Sequence, residues 1–349
     1  MTSNRIVAVY GAYGHTGRFV VSELVKRNLT PILSGRDSAS LEILRETYPG
    51  LEMRPASVDD PSSLDRALIG AGCVLNCAGP FATTSAPVID AALRSRIPYL
   101  DVAAEIEANL DTFEQYDSRA RDAEILILPA MAFYGGLGDL LATAAMGDWS
   151  EADEISIAYG LDSWKPTPGT RAAGRVSRER RNGQRIAFSN GRLELRTDTA
   201  PVTEWNFPPP LGLQPVVGEF TMADTITISR HLKTPEIRSY MTLTAVKDIS
   251  NPDTPPPGGI DENGRSAQTF VVEVAAKRAG VVRSAAASGR DIYAVSSPLI
   301  VEAATRVLSG SVKRSGVLTA GQAFDARDFL RSLSPTHLSV QFNDAERAA

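Results

Sequence analysis

The short apolar run Ile6–Tyr10 ends in Gly11-Ala12-Tyr13-Gly14-His15-Thr16-Gly17, and the chain then opens directly into GRFVVSELVKRN. No other feature constrains the fold as much. In that second stretch Phe19, Val20, Leu24 and Val25 recur at helical spacing. A glycine pattern between a strand and a helix has a specific physical use. Gly11 permits a tight turn, Gly14 lets the backbone approach a pyrophosphate, and Gly17 lets the helix pack close to the strand. The helix N-terminus then favours an anion. The spacing is GxxGxxG rather than GxGxxG, and the plain alternative is an ordinary glycine-rich turn.

The alternation continues. PILSGRD, CVLNCAGP, PYLDV and EILILPAM read as strands, and SLEILRETY, APVIDAALRSR and FEQYDSRARDA read as helices. Strands alternating with helices predict an α/β fold, a doubly wound parallel sheet. After Trp149 the rhythm changes: EISIAYGL, QRIAFSN, RLELRT, TITISRH and TFVVEVAAKR read as strands without long helices between them. Ser189–Arg192 (SNGR) marks a hairpin. This predicts a second α+β domain with a mostly antiparallel sheet. NFPPPLGLQP (206–215) and NPDTPPPGGIDENG (251–264) read as loops. The expected division is a dinucleotide-binding domain at 1–145 and a substrate and dimerisation domain at 146–290. C-terminal helices over 291–334 (SPLIVEAATRVLSG and DARDFLRSL) are expected to pack back on the first domain, with a tail at 335–349.

Composition narrows the function classes. Among 349 residues, 43% are hydrophobic and 22% charged, as in soluble globular proteins. With 36 basic and 41 acidic side chains the net charge is −5, a poor basis for binding nucleic acid or an anionic membrane. No run approaches the roughly 18 apolar residues of a membrane span. The start reads as a strand, with no apolar signal region. The two cysteines, Cys73 and Cys77, are too close together to staple a large chain, so the expected location is a reducing cytoplasm.

The end of the second strand discriminates between cofactors. An acidic residue there would bind a ribose 2′-hydroxyl, whereas an Arg accommodates a 2′-phosphate. Here Ser34-Gly35-Arg36 is followed by Asp37. Arg36 and Ser34 favour NADP(H), unless Asp37 pairs with Arg36. Asn76-Cys77-Ala78-Gly79-Pro80-Phe81 ends a further strand and is expected to border the cofactor as well. Cys77 reads as a structural thiol rather than a nucleophile.

GAYGHTGRFV, LSGRD, VLNCAGPF with APVIDAAL, and PYLDVAAE resemble the NADP-binding domain of the saccharopine dehydrogenase-like oxidoreductases. LPAMAFYGGLGDLLA, PGTRAAGRVSRER, FPPPLGLQPVVGEF, RDIYAVSSPLIVEAA and GVLTAGQAFDARDFL extend the resemblance over nearly the whole chain. It implies a Rossmann domain, a mixed second domain, a C-terminal return and a homodimer. The chain departs from the family where Tyr134 follows Phe133 and where Ala104 precedes Glu105. Both changes fall near the expected substrate pocket, so the family's substrates do not transfer.

The candidate chemistry residues are Tyr134, Asp101 and His231. Tyr134 either donates a proton or forms an aromatic lid. Asp101 either contacts ribose or substrate, with Glu105 nearby, or caps a helix. His231 either is catalytic or is a packed side chain on a strand. Asp139 is expected to cap the helix LLATAAM. Arg171, Arg175, Arg178, Arg180, Arg181 and Arg185 form either an anionic-ligand anchor or a solvated face. No metal-ligand spacing occurs. The pocket is expected to be bordered by Asn76–Phe81, Asp101, Tyr134 and His231. The expected activity is NADPH-dependent hydride transfer to a C=N, C=C or C=O bond of a small molecule. The alternative is a catalytically silent NADP-binding regulator.

Overall fold

A computed structural model describes residues 5–348. Packing divides the chain into two units. Unit 1 runs to Ala132 and takes back Ser296–Leu318, and unit 2 is Phe133–Val295 together with the chain from Thr319 onward.

Unit 1 begins β1 (Ile6–Tyr10), α1 (His15–Lys26), β2 (Thr30–Gly35), α2 (Ser38–Thr47), β3 (Glu52–Pro55) and α3 (Pro61–Leu68). It continues β4 (Cys73–Asn76), α4 (Phe81–Ser95), β5 (Tyr99–Asp101), α5 (Ile106–Asp122) and β6 (Leu126–Leu128). Unit 2 follows with α6 (Gly138–Met146), β7 (Glu154–Leu161), α7 (Pro168–Arg180), β8 (Arg185–Ser189), β9 (Arg192–Arg196) and β10 (Val202–Phe207). Next come β11 (Gly212–Gly218), α8 (Ala223–Ser229), β12 (Ile237–Thr242), α9 (Leu243–Ser250), β13 (Thr269–Arg278) and β14 (Val281–Arg290). α10 (Ser296–Leu308) and β15 (Gly316–Val317) belong to unit 1. α11 (Ala320–Ala323), α12 (Ala326–Leu333) and β16 (Ser339–Ala348) complete unit 2.

In unit 1 the strand order is β15-β6-β5-β4-β1-β2-β3, and every pairing is parallel. This is the doubly wound sheet that the alternation predicts. Val7, Ala8, Val9 and Tyr10 are all buried because helices cover both faces. The order reverses between β1 and β4, which is the switch point where such sheets bind ligands. α10 packs on α1, and Glu302 binds Arg27 at 2.5 Å and Arg306 at 2.8 Å. β15 then adds a strand beside β6.

Unit 2 holds a mixed, mostly antiparallel sheet ordered β10-β11-β12-β7-β13-β14-β16, with the β8–β9 hairpin off β12. Among the described residues of this sheet, only β12 and β7 pair in parallel. Asn190 and Gly191 turn the predicted hairpin at φ 51° and 74°.

Five expectations are corrected. TITISRH is not a strand: Asp224 to Ile228 lie in α8, all of them buried. Packing against the Phe133–Leu137 turn and α6 overrides the β-branched propensity of that run. The segment after Ser334 is not a tail but carries β16, which pairs with β14 and satisfies backbone groups that would otherwise form an open edge. Of the C-terminal helices only α10 belongs to unit 1, since α12 buries Phe329, Leu330 and Leu333 within unit 2. The 206–215 stretch is a tight turn whose two ends extend β10 and β11. The division also falls after Ala132 rather than at 145, because α6 packs on β13 and β14.

Candidate active site

The glycine turn occupies the carboxyl end of β1. The amides of Gly11 and Ala12 both donate to Ser34 O, at 2.9 and 3.1 Å, tying the turn to the end of β2. The amide of Cys77 donates to Tyr10 O at 2.8 Å, bringing the end of β4 alongside. Gly11, Ala12, Tyr13, Gly14, Ser34, Gly35 and Cys77–Ala78 are therefore assembled at one place.

The three glycines have separable roles. Gly11 has φ 83°, and a Cβ there would stand 2.8 Å from Ala78 N. A Cβ on Gly17 would lie 2.1 Å from Gly11 O, so the close approach of helix to turn requires glycine. Gly14 differs. Its backbone is ordinary (φ −64°), and a Cβ would meet only Gly11 O at 3.1 Å and Cys77 O at 3.9 Å. The first two glycines are required by the fold. Gly14 leaves space that the protein itself does not fill. It also heads α1, whose N-terminus has no capping side chain and no acid in its first turn. His15 stacks edge-on against Phe19 at 5.4 Å.

At the end of β2, Asp37 does not pair with Arg36. Its carboxylate accepts the amide of Ser40 at 2.9 Å and caps α2. Arg36 is exposed and makes no ion pair among the described residues, and Ser34 Oγ is buried without a partner. An orphan hydroxyl near the end of β2, two residues before an exposed arginine, fits a phosphate-bearing ribose.

The residues after β4 mostly shape the loop. Asn76 is fully buried, donating to Tyr99 Oη at 3.1 Å and accepting the amide of Ala78 at 3.0 Å. Phe81 is buried against Ala103 and Ala108. Burial pushes the Cys77 thiol up to about 12, with the Asp101 carboxylate adding to it, which suits a structural thiol. Glu105, not Asp101, turned out to be the capping acid. It accepts the amides of Phe81 at 2.7 Å and Ala82 at 3.0 Å, so it anchors the start of α4 and with it the Gly79–Pro80 loop.

Asp101 is wholly enclosed in unit 1. One oxygen accepts the amides of Ala103 (2.9 Å) and Ala130 (2.7 Å), and the other accepts Tyr99 Oη at 2.8 Å. It caps no helix. Burial pushes its carboxyl up to about 6 from an ordinary 3.8, against the pull of those three donors. The sign follows from the folded value being the higher one. The proton is held more tightly in the native state, so stability present below pH 4 is lost as pH rises through 6. Asp101→Asn keeps an acceptor for both amides and removes the titration. Relative to that variant, the wild type is expected to lose about 2 kcal/mol of unfolding free energy between pH 4 and 7.5. Parallel chemical denaturation of the two proteins measures this, and a pH-independent difference would refute it.

In unit 2, His231 does not lie on a strand but follows α8. Its Nε2 meets Asp139 Oδ1 at 2.6 Å, while Asp139 Oδ2 accepts the amide of Gly321 at 2.7 Å. Burial works against the imidazolium, but the Asp139 carboxylate outweighs it and raises the pKa. Asp139 is therefore not a cap for α6. With His231 it ties α6 to the turn after α8 and to the start of α11.

Tyr134 sits in the irregular turn Phe133–Leu137. Its ring is 4.9 Å from Tyr159 and 5.3 Å from Trp164, and its hydroxyl is buried without a partner. Desolvation holds that phenol well above its ordinary pKa, so it stays protonated. Tyr134 and His231 belong to separate clusters. The arginine segment resolves into individual roles: Arg171 binds Asn251 O and Thr254 O, and Arg185 pairs with Glu219 and Asp198, while Arg175 and Arg178 are exposed. Among the described residues there is no acid, Cys or His cluster able to hold a metal, and no helix is long and apolar enough to cross a membrane.

A parallel sheet with a glycine turn at its switch point, beside a free arginine, defines a dinucleotide-binding domain. A family model described as "Saccharopine dehydrogenase NADP binding domain" matches residues 7–128. A probable mitochondrial saccharopine dehydrogenase-like oxidoreductase of Arabidopsis thaliana is 32% identical over 181 residues, covering 47% of this chain and 40% of that protein. A human saccharopine dehydrogenase-like oxidoreductase is 27% identical over 146 residues, covering 36% and 34%. The matches thus span less than half the length of these relatives. The fold is shared with apo saccharopine dehydrogenase (L-Glu forming) from Saccharomyces cerevisiae, with a TM-score of 0.68 at 13% identity, covering 97% of this chain and 99% of that one. Residues 7–128 thus match the NADP-binding domain of the saccharopine dehydrogenases, and the chain is similar to saccharopine dehydrogenase-like oxidoreductases over part of its length.

Proposed function

We propose that this chain is an NADPH-dependent reductase acting on a C=N, C=C or C=O bond of a small molecule. The supporting observation is the end of β2, where Asp37 is engaged as a cap rather than with Arg36, Arg36 is exposed, and the Ser34 hydroxyl two residues earlier is orphaned. Bound there, the nicotinamide cofactor supplies a hydride. The protein's own share is to hold the phosphates on the α1 amides, to discriminate the 2′-phosphate through Arg36, and to offer a proton. Tyr134 is the residue we assign to the last task, because its protonated hydroxyl has no internal partner. Asp101 and His231 are both committed to internal hydrogen bonds.

That commitment also favours a second reading, a silent NADP-binding regulator, in which Tyr134 is only packing. A panel of imines, enones and keto acids separates the two: NADPH oxidation with any member supports the reductase, and none across the panel supports the regulator. Cofactor choice is tested independently. Wild type is expected to bind NADPH more tightly than NADH, and Arg36→Ala to lose about tenfold to a hundredfold of NADPH affinity only. Equal wild-type affinities would sink the assignment. The homodimer stays within this reading on the exposed apolar residues Leu195, Val202 and Leu213 of unit 2, and a monomeric mass in solution would remove it.

A further inference from the structure

We propose that Asp224 is the positioning residue for Tyr134, acting through the backbone of Gly135. The inference rests on reading Tyr134 as the group that meets the substrate. Gly135 carries the bend of the turn, with φ 104° and ψ −77°, next to Tyr134 at φ −92° and ψ 125°. α8 grips that one residue at both poles. Asp224 Oδ1 accepts the amide of Gly135 at 2.8 Å, and Thr227 Oγ1 donates to Gly135 O at 3.4 Å. The fit is close: a Cβ on Gly138 would lie 2.0 Å from Asp224 Oδ1, so only glycine there admits the carboxyl. The acid also sits where α6 begins, and the amides of a helix start favour it.

The clamp is deeply enclosed. Asp224 is 1% exposed, and its second oxygen, Oδ2, has no hydrogen-bond partner. Tyr159 Oη faces the same carboxyl, near enough to influence its proton but outside hydrogen-bond geometry. Tyr159 in turn packs on the ring of Tyr134 at 4.9 Å. One buried acid thus bears on both the backbone and the ring neighbour of the phenol. Burial pushes Asp224 up to about 6, with Tyr159 and the Gly135 amide pulling it down and the Asp139 carboxylate of α6 pushing it further up. Tyr134 of the turn also feels its charge. The charged side chains of β8 and β12 are engaged elsewhere, Arg185 with Glu219 and Arg238 with Glu154.

The test uses the whole chain and four variants: Tyr134→Phe, Asp224→Ala, Asp224→Asn and the double variant Asp224→Ala/Tyr134→Phe. Asp224→Ala is expected to lower kcat by about a hundredfold, as misplacement of a catalytic group does, with NADPH affinity unchanged. Asp224→Asn retains an oxygen for the Gly135 amide and is expected to recover most of that loss. The double variant is expected to be no worse than Tyr134→Phe alone, because one residue acts through the other. If the two losses multiply, or if Asp224→Ala turns over normally while Tyr134→Phe does not, this inference fails and the role of Tyr134 stands. If Tyr134→Phe turns over normally, the role of Tyr134 fails and the inference falls with it. A second readout needs no substrate and covers a variant that does not fold. The Trp164 emission, isolated by subtracting the Trp164→Phe spectrum, is expected to titrate near pH 6 in wild type and not in Asp224→Asn. A titration that survives in Asp224→Asn would overturn the clamp.

Discussion

Gly14→Val is expected to yield a folded protein that no longer binds NADPH. The local backbone takes a side chain with a small shift, since φ at Gly14 is −64° and the nearest atom a Cβ would meet is Gly11 O at 3.1 Å, a tight contact rather than a clash. The branched side chain would instead fill the space that a pyrophosphate needs above the start of α1. Charge-assisted hydrogen bonds contribute about 1.5–3 kcal/mol each, so losing two of them weakens binding by roughly a hundredfold or more. Gly17→Val provides the contrast. Its Cβ would fall 2.1 Å from Gly11 O, so this variant is expected to lose the fold of unit 1. Fluorescence titration with NADPH, alongside circular dichroism, measures both. A folded Gly14→Val with normal affinity would show that the turn is structural only.

Tyr134→Phe is expected to move activity and stability in opposite directions. The hydroxyl is buried with no partner, so removing it relieves a desolvation cost and raises the unfolding free energy by about 1 kcal/mol. If that hydroxyl is the proton donor, turnover falls by about a hundredfold to ten-thousandfold. NADPH affinity is expected to stay the same, because the substitution leaves the glycine turn and Arg36 unaltered. Steady-state kinetics, thermal unfolding and cofactor titration of one variant suffice. A gain in stability without any loss of turnover would leave Tyr134 as packing. An orphan polar group retained at a stability cost is expected where function requires it.

How legible the site was depended on how far apart its partners lie in sequence. Gly11, Gly14, Gly17 and Arg36 were legible because their roles are set by the adjoining strand and helix. The reading of Asp37 was open, and a hydrogen bond three residues away decided it. Glu105 serves amides at Phe81 and Ala82, and Asp224 serves one at Gly135, 89 residues before it. Nothing in VAAE or ADTITIS marks these acids as anchors. The β-branched run TITIS reads as a strand and carries His231 with it. A helix formed because burial of that whole run against the Tyr134 turn outweighs intrinsic preference.

The sequence by itself determined the alternation of strands and helices, the parallel sheet, the glycine turn after β1 and the arginine after β2. All of these depend on interactions within about thirty residues, which periodicity and glycine placement record directly. Only the tertiary structure decided that β16 closes an edge beside β14, that α10 and β15 rejoin the first unit, and that Asp101 and His231 are internal ties while the hydroxyl of Tyr134 is left free. Burial and hydrogen-bond satisfaction belong to the whole packed chain. A carboxylate or imidazole reads the same in sequence whether its partner is an amide far along the chain or a substrate.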